Sequence, residues 1–293
     1  MSRRSTGKAS STPCWGCDSV VSQSRIAILQ MTSGIEPARN GETIVTAIAE
    51  ARAGGATMLF TPEMSGLLDR DRKRAATRIV REEDDPVLAM VCAAAAREGI
   101  SVALGSLAIA REDGRWANRS FVIDERGEIA ARYDKIHMFD VSLDTGEKWN
   151  ESAAYAAGER AVCVASALGK LGLSVCYDMR FPALYEALGR QHCDTIAIPA
   201  AFTVPTGKAH WELLLRARAV EASAWVIAAA QVGEHEDGRQ TWGHSMVIDP
   251  WGDVVLDMGG EAPGLAFAEI DAARTAAVRA QLPTLANRRE LTI

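Results

Sequence analysis

The chain has 293 residues, of which 48% are hydrophobic, and carries a formal charge of −6 with a pI near 5.5. That is enough apolar material for one large α/β domain or two ordinary ones, while the acidic balance argues against the basic surface that a nucleic acid or an anionic lipid needs. No apolar run nears the ~20 residues of a membrane helix, so we expect a soluble cytoplasmic protein with neither nucleic-acid nor membrane partners. Six cysteines (Cys14, Cys17, Cys92, Cys163, Cys176 and Cys193) lack regular spacing and read as thiols of a reducing compartment rather than a disulfide framework.

Residues 1–24 are rich in Ser, Lys and Arg and poor in apolar residues, which predicts a disordered extension. Their Arg/Ser bias is that of a transit peptide, but the amphipathic helix pattern is missing. Cys14-Trp15-Gly16-Cys17 has no second pair to complete a metal site. From Arg25 onward the pattern is that of a folded domain. Ile26–Leu29 reads as a buried strand, 42–53 as a helix ending at Gly54-Gly55, and 57–61 as a strand closing on Pro62-Glu63. Asp84-Asp85-Pro86 opens a helix over about 85–98 that Gly99 stops. Strands follow at 101–110, 117–124 and 128–133, with Asp113-Gly114 and Arg126-Gly127 as hairpin turns. Residues 135–158 show no period and should form an ordered loop, a kind that is usually functional.

An apolar run, Leu171–Val175, ends on Cys176, and Pro182 opens a helix over about 182–191. Beyond it alternate a strand (194–199), a helix (208–222) and a strand (225–231). Strands over 242–249, 253–257 and 264–270 and a helix near 271–281 complete the domain. Alternating strands and helices mixed with hairpins favour one α/β domain.

Three chemically capable side chains stand at ends of apolar strands, where α/β sheets bind ligands: Glu63, Lys135 and Cys176. A half-buried Glu63 is expected to have a raised pKa and to exchange protons near neutrality. Lys135, flanked by apolar residues, alone reads as a snorkelling surface group. Cys176 alone reads as a small buried hydrophobe; beside a helix N-terminus it is instead expected to favour the thiolate. Asp178 and Arg180 either pair with each other or leave Arg180 free for substrate. His192 and His235 sit in polar surroundings and read as surface, and His137, His210 and His244 lack the context of a cysteine's catalytic partner.

Leu59-Phe60-Thr61-Pro62-Glu63, Tyr133-Asp134-Lys135-Ile136-His137-Met138-Phe139-Asp140 and Val175-Cys176-Tyr177-Asp178-Met179-Arg180-Phe181-Pro182 together resemble the three signature blocks of the carbon–nitrogen hydrolase (nitrilase-like) superfamily, in its order. The likeness covers 25–293 as a single domain. It implies a four-layer α-β-β-α sandwich, Glu63 as general base, Lys135 as oxyanion stabiliser, Cys176 as nucleophile, and Glu151 in support. Tyr177 is the candidate second oxyanion donor through its N–H, because it follows the nucleophile. The resemblance calls for no metal or organic cofactor, and implies a homodimer or larger even homo-oligomer.

Phe139-Asp140-Val141, Ala201–Glu212 and Gly243–Gly252 resemble the Nit branch, whose amidases act on small-molecule monoamides of 2-oxo dicarboxylic acids. Pro182 and 228–235 resemble the members that cleave deaminated glutathione. Arg180, Phe202, Thr203, Lys208 and His210 are the substrate-contact candidates, although Lys208 stands where a proline is expected. Alternatives are 2-oxoglutaramate, N-carbamoyl amino acids or aliphatic amides as substrates, and a silent binding protein on the same fold.

Overall fold

The computed structural model describes residues 23–144, 146 and 148–289. Residues 1–22, including Cys14 and Cys17, lie outside them, so the expected disorder of the extension is not addressed. Its boundary does move: β1 (Gln23–Gln30) already starts at Gln23.

β1 leads through α1 (Pro37–Ala53) to β2 (Met58–Phe60), then a short α2 (Arg72–Ala75) and α3 (Pro86–Glu98). α3 has both ends specified locally. The Asp85 carboxylate accepts the Leu88 N–H at 2.8 Å, Pro86 fills the first turn, and Gly99 takes the left-handed cap at φ 62°. β3 (Ser101–Ala110), β4 (Trp116–Ile123) and β5 (Ile129–Asp134) follow as a meander, turning at Gly114 and Gly127. The 135–158 loop contains a hairpin the sequence did not show, β6 (Asp140–Ser142) with β7 (Lys148–Asn150).

β8 (Val162–Ser166) and β9 (Gly169–Leu173) come next, then a 3₁₀ turn over Cys176–Arg180 and α4 (Pro182–Arg190). β10 (Thr195–Ala197), α5 (Val204–Ala222) and β11 (Trp225–Ala228) precede a hairpin of β12 (Val232–Glu234) and β13 (Gln240–Trp242). β14 (Met246–Ile248), β15 (Val254–Asp257), β16 (Gly264–Asp271), α6 (Ala272–Gln281) and α7 (Thr284–Asn287) end the fold.

Two six-stranded sheets result, ordered β16-β1-β2-β3-β4-β5 and β15-β14-β11-β10-β9-β8. Side chains alternate across a strand, and β1 shows what each face meets. Ile26 and Ile28 join a core shared with Leu171, Leu173, Ile196 and Ile227 of the other sheet. Ala27 and Leu29 pack instead against Ile44 and Ile48 of α1 and Val91 and Ala95 of α3. Both faces are covered, which is why the run is apolar without interruption. On the far side Tyr185 and Leu188 of α4 and Leu215 and Ala219 of α5 cover the second sheet. The layers are α-β-β-α, as the resemblance implied.

Three expectations are corrected. α5 starts four residues earlier than expected, at Val204, with Pro205 in its first turn. His235 is buried rather than at the surface, because Ser33 O lies 2.9 Å from Nδ1 and Thr241 Oγ1 2.7 Å from Nε2. The sulfurs of Cys163 and Cys193 are brought together, with Cα atoms 6.8 Å apart, where the cysteine spacing predicts no pairing. Cys163 lies opposite Gly172 across β8 and β9, and Cys193 Sγ occupies the space a side chain at 172 would need. That juxtaposition is tertiary and leaves no mark in the cysteine spacing.

Candidate active site

Glu63 leaves β2 on a short, pinned turn. The Thr61 hydroxyl accepts the Gly105 N–H at 2.9 Å, Ser65 Oγ donates to Pro62 O at 2.6 Å, and Gln231 Nε2 donates to Glu63 O at 3.0 Å. Gly105 is required here, since a Cβ would fall 2.1 Å from Thr61 O. Lys135 follows β5 directly; its N–H donates to Asn118 O at 2.9 Å, and its carbonyl accepts Gly158 N–H at 2.8 Å. Cys176 follows β9, an interior strand of the second sheet, with a left-handed φ of 47°, its N–H bonded to Pro199 O at 2.9 Å. A non-glycine residue held there stores about 1–3 kcal/mol of strain.

That turn is held by Asp178, which is wholly buried. Its carboxylate accepts from Val175 N–H at 2.9 Å, the Tyr133 hydroxyl at 2.7 Å and His137 N–H at 2.9 Å, and lies 2.7 Å from His137 Nδ1. Tyr133 and His137 flank Lys135 in sequence, so Asp178 locks the cysteine block to the lysine block. It does not pair with Arg180. The Arg180 guanidinium lies over the rings of Tyr177 and Phe202 and 3.4 Å from His210 Nδ1.

The sheets thus bring Glu63, Lys135, Glu151 and Cys176 together in the interior. Lys135 Nζ donates to Glu63 Oε1 at 3.0 Å and to the Glu151 oxygens at 3.1 and 2.9 Å. Asn118 Nδ2 bridges the same two carboxylates, at 2.9 Å to Glu63 and 3.1 Å to Glu151. Ala201 N–H donates to Glu63 Oε2 at 2.8 Å and Phe139 N–H to Glu151 Oε2 at 2.7 Å, and Cys176 lines the same cavity as Glu63.

Two protonation expectations are reversed. Burial alone would raise the Glu63 pKa, but the Lys135 charge and hydrogen bond, with bonds from Cys176 and Asn118, hold it below its ordinary value. Burial, and then the adjacent Glu63 charge, push the Cys176 thiol well up, and Lys135 opposes them only in part. Burial would lower Lys135, yet Glu151 and Glu63 raise it well above its ordinary value. The resting site is therefore a neutral thiol beside a carboxylate whose proton affinity rises when the lysine's charge is drawn elsewhere. No group of metal-ligating residues occurs among the described residues.

A cavity of about 360 Å³ opens onto Cys176, Lys135, Glu63 and Glu151. Tyr177, Phe202 and Thr203 line it, but Arg180, Lys208 and His210 do not. The earlier start of α5 puts Lys208 and His210 on the exposed side of that helix, facing a separate groove with Trp251. The cavity's cations come from elsewhere: Arg70, Arg72, Lys148 and Arg239, none singled out from the sequence. Counting Lys135, five cations and three carboxylates (Glu63, Asp69, Glu151) line it, although the whole chain carries −6. Asn118 was also missed; its signal was an amide in the middle of a buried strand, where asparagine is disfavoured.

The carbon–nitrogen hydrolase family model matches residues 25–280. A Synechocystis protein named deaminated glutathione amidase is 41% identical over 268 residues, covering 89% of this chain and 97% of that protein. The crystal structure of the Caenorhabditis elegans NitFhit protein superposes with a TM-score of 0.83 at 34% identity, over 92% of this chain and 65% of that longer one. A mutant Nesterenkonia amidase, solved with the acetamide moiety of fluoroacetamide added covalently at its active-site cysteine, superposes with a TM-score of 0.77 at 26% identity, over 91% and 94%.

Proposed function

Since this chain belongs to the carbon–nitrogen hydrolase family, we propose that it hydrolyses deaminated glutathione to 2-oxoglutarate and cysteinylglycine through a thioester on Cys176. The observation that carries this reading is the meeting of Glu63, Lys135 and Cys176 at one end of a cavity with excess positive charge. The name of the Synechocystis relative and the covalent adduct of the Nesterenkonia amidase support it.

The steps follow from the resting geometry. As Cys176 Sγ attacks the amide carbon, its proton passes to Glu63, the carboxylate that lines the same cavity. The developing oxyanion is met by Lys135 Nζ and the Tyr177 N–H. As Lys135 turns toward that oxyanion, its hold on Glu63 weakens and Glu63 gains the basicity it lacks at rest. The C–N bond breaks with transfer of the proton from Glu63 to the leaving amine, leaving the thioester. Water, deprotonated by Glu63, then attacks the thioester, and the proton returns to the departing sulfur. Glu151 keeps Lys135 charged throughout.

A second reading, 2-oxoglutaramate hydrolysis, uses the same acyl group with ammonia as leaving group. Side-by-side assays of 2-oxoglutarate release decide it: a higher kcat/KM for deaminated glutathione is expected, a higher value for 2-oxoglutaramate reverses the choice, and turnover of neither removes the assignment. No described helix is long and apolar enough to cross a membrane, and a cytoplasmic location is part of the proposal. Leu213, Val220 and Trp251 are exposed apolar side chains near one another along α5, which supports a homodimer or larger even assembly; sedimentation as a 31.4 kDa monomer would contradict it.

A further inference from the structure

We propose that Arg239 and Trp149 form the cavity's carboxylate-binding subsite, a role that rests on the amidase reading above. Arg239 sits just before β13, on the turn of the β12–β13 hairpin, and Trp149 is the middle residue of β7. Asp237 sets the turn. Its buried side chain accepts the Arg239 N–H at 2.9 Å and the Arg70 N–H at 2.8 Å, and lies 3.5 Å from one Arg239 terminal nitrogen. The Arg239 guanidinium stands over the Trp149 ring at 4.6 Å, and Arg70 approaches the same ring at 5.8 Å.

Within this ordered arrangement two donors are left over. Among the described residues, Arg239 Nε and Trp149 Nε1 are both buried and neither has a hydrogen-bond partner. Both are donors only, so what completes them must be an acceptor, and both residues line the cavity that reaches Cys176. The other buried cation there cannot serve: Lys135 already has two carboxylates. Arg72 is engaged with Asn150 O. A carboxylate offers two acceptor oxygens and the charge that a guanidinium grips best. Deaminated glutathione carries two, one on the 2-oxo acid and one on the terminal glycine, whereas 2-oxoglutaramate carries only the first.

The test uses the full-length protein with both substrates. Arg239→Gln is expected to raise KM by about 10- to 100-fold, with the loss falling on KM rather than kcat. Arg239→Lys should recover part of that loss. Trp149→Phe, which keeps the ring and removes the N–H, should raise KM by a smaller factor. A defect with both substrates places the 2-oxo acid carboxylate on the subsite, and a defect with deaminated glutathione alone places the glycine carboxylate there. An unchanged KM in Arg239→Gln for both compounds overturns the subsite. Calorimetric titration of Cys176→Ala, with and without Arg239→Gln, using 2-oxoglutarate and cysteinylglycine as probes, gives a readout free of turnover. Binding by neither probe, or binding unaffected by Arg239→Gln, also overturns it. Should the wild type turn over neither amide while Arg239→Gln still weakens probe binding, the function falls and the subsite stands.

Discussion

Two groups of side chains lining the cavity are built on opposite terms. Around Cys176 Lys135 meets two carboxylates, Asn118 Nδ2 bridges them, and backbone N–H groups bond further oxygens, with Asn118 Oδ1 left as a buried acceptor without a partner. Around Arg239 two enclosed donors wait for an acceptor. The paired group has its geometry before substrate arrives, as proton transfer requires. The unpaired group is completed by its ligand, as discrimination requires. On the proposed reading chemistry and recognition rest on different side chains, and substitutions in the two groups should fail differently.

The sharpest contrast is at the nucleophile. Cys176→Ala should lower kcat/KM by roughly 10⁴-fold or more, while Cys163→Ala and Cys193→Ala keep turnover; an active Cys176→Ala enzyme refutes the thioester route. Lys135→Met is the next largest. It strands Glu63 and Glu151 as neighbouring buried carboxylates, so a stability loss of about 3–5 kcal/mol by denaturant titration should accompany the loss of activity. Retained stability would mean that the cluster is less enclosed than its distances state.

The depressed Glu63 pKa makes a graded prediction. The carboxylate is the working form, so the acid limb of kcat/KM should fall below the ordinary value of 4.5. Its stabilising contribution is present above that unfolded value and lost as pH falls through the lower folded one. Lys135 is raised, so its contribution is present below 10.5 and lost only as pH climbs through a still higher folded value. An acid limb near neutrality in the free enzyme would show Glu63 is not the base. The smallest effect belongs to the outer face of α5: Lys208→Ala and His210→Ala should change kcat/KM by no more than about twofold. A larger loss would place that face in contact with substrate.

These contrasts follow the line between what local sequence encodes and what only folding brings together. α3 could be bounded because its stop signals are local: Asp85 and Pro86 at one end, Gly99 at the other. Buried β1 and β3 were visible as apolar runs. β8 was not, being a half-exposed strand of five residues without alternation. At the site, Glu63, Lys135 and Cys176 were legible because each is a reactive residue ending an apolar strand and sits in a family-like block. Glu63's low pKa was not, since burial and Lys135 act in opposite senses and only their geometry decides. Arg239 lies far from every block and gains meaning only where its hairpin folds over Trp149. Lys208 was misplaced for a simpler reason: beginning α5 at Val204 puts it inside the helix and turns it to solvent.

One pairing has a consequence for how the protein is made. The last strand, β16, lies antiparallel to the first, with Gln23 opposite Asp271 and Gln30 opposite Gly264. During synthesis the ribosome has therefore produced every residue proposed for catalysis while one edge of β1 is still bare. A ribosome stalling after Asp257 releases a chain holding Glu63, Lys135, Glu151 and Cys176 but no β16. Its open edge exposes the ladder of an apolar strand, the kind of template that recruits other chains. Such a fragment belongs in the insoluble fraction, so completion of the polypeptide, rather than assembly of the reactive groups, is what sets a nascent molecule free to work.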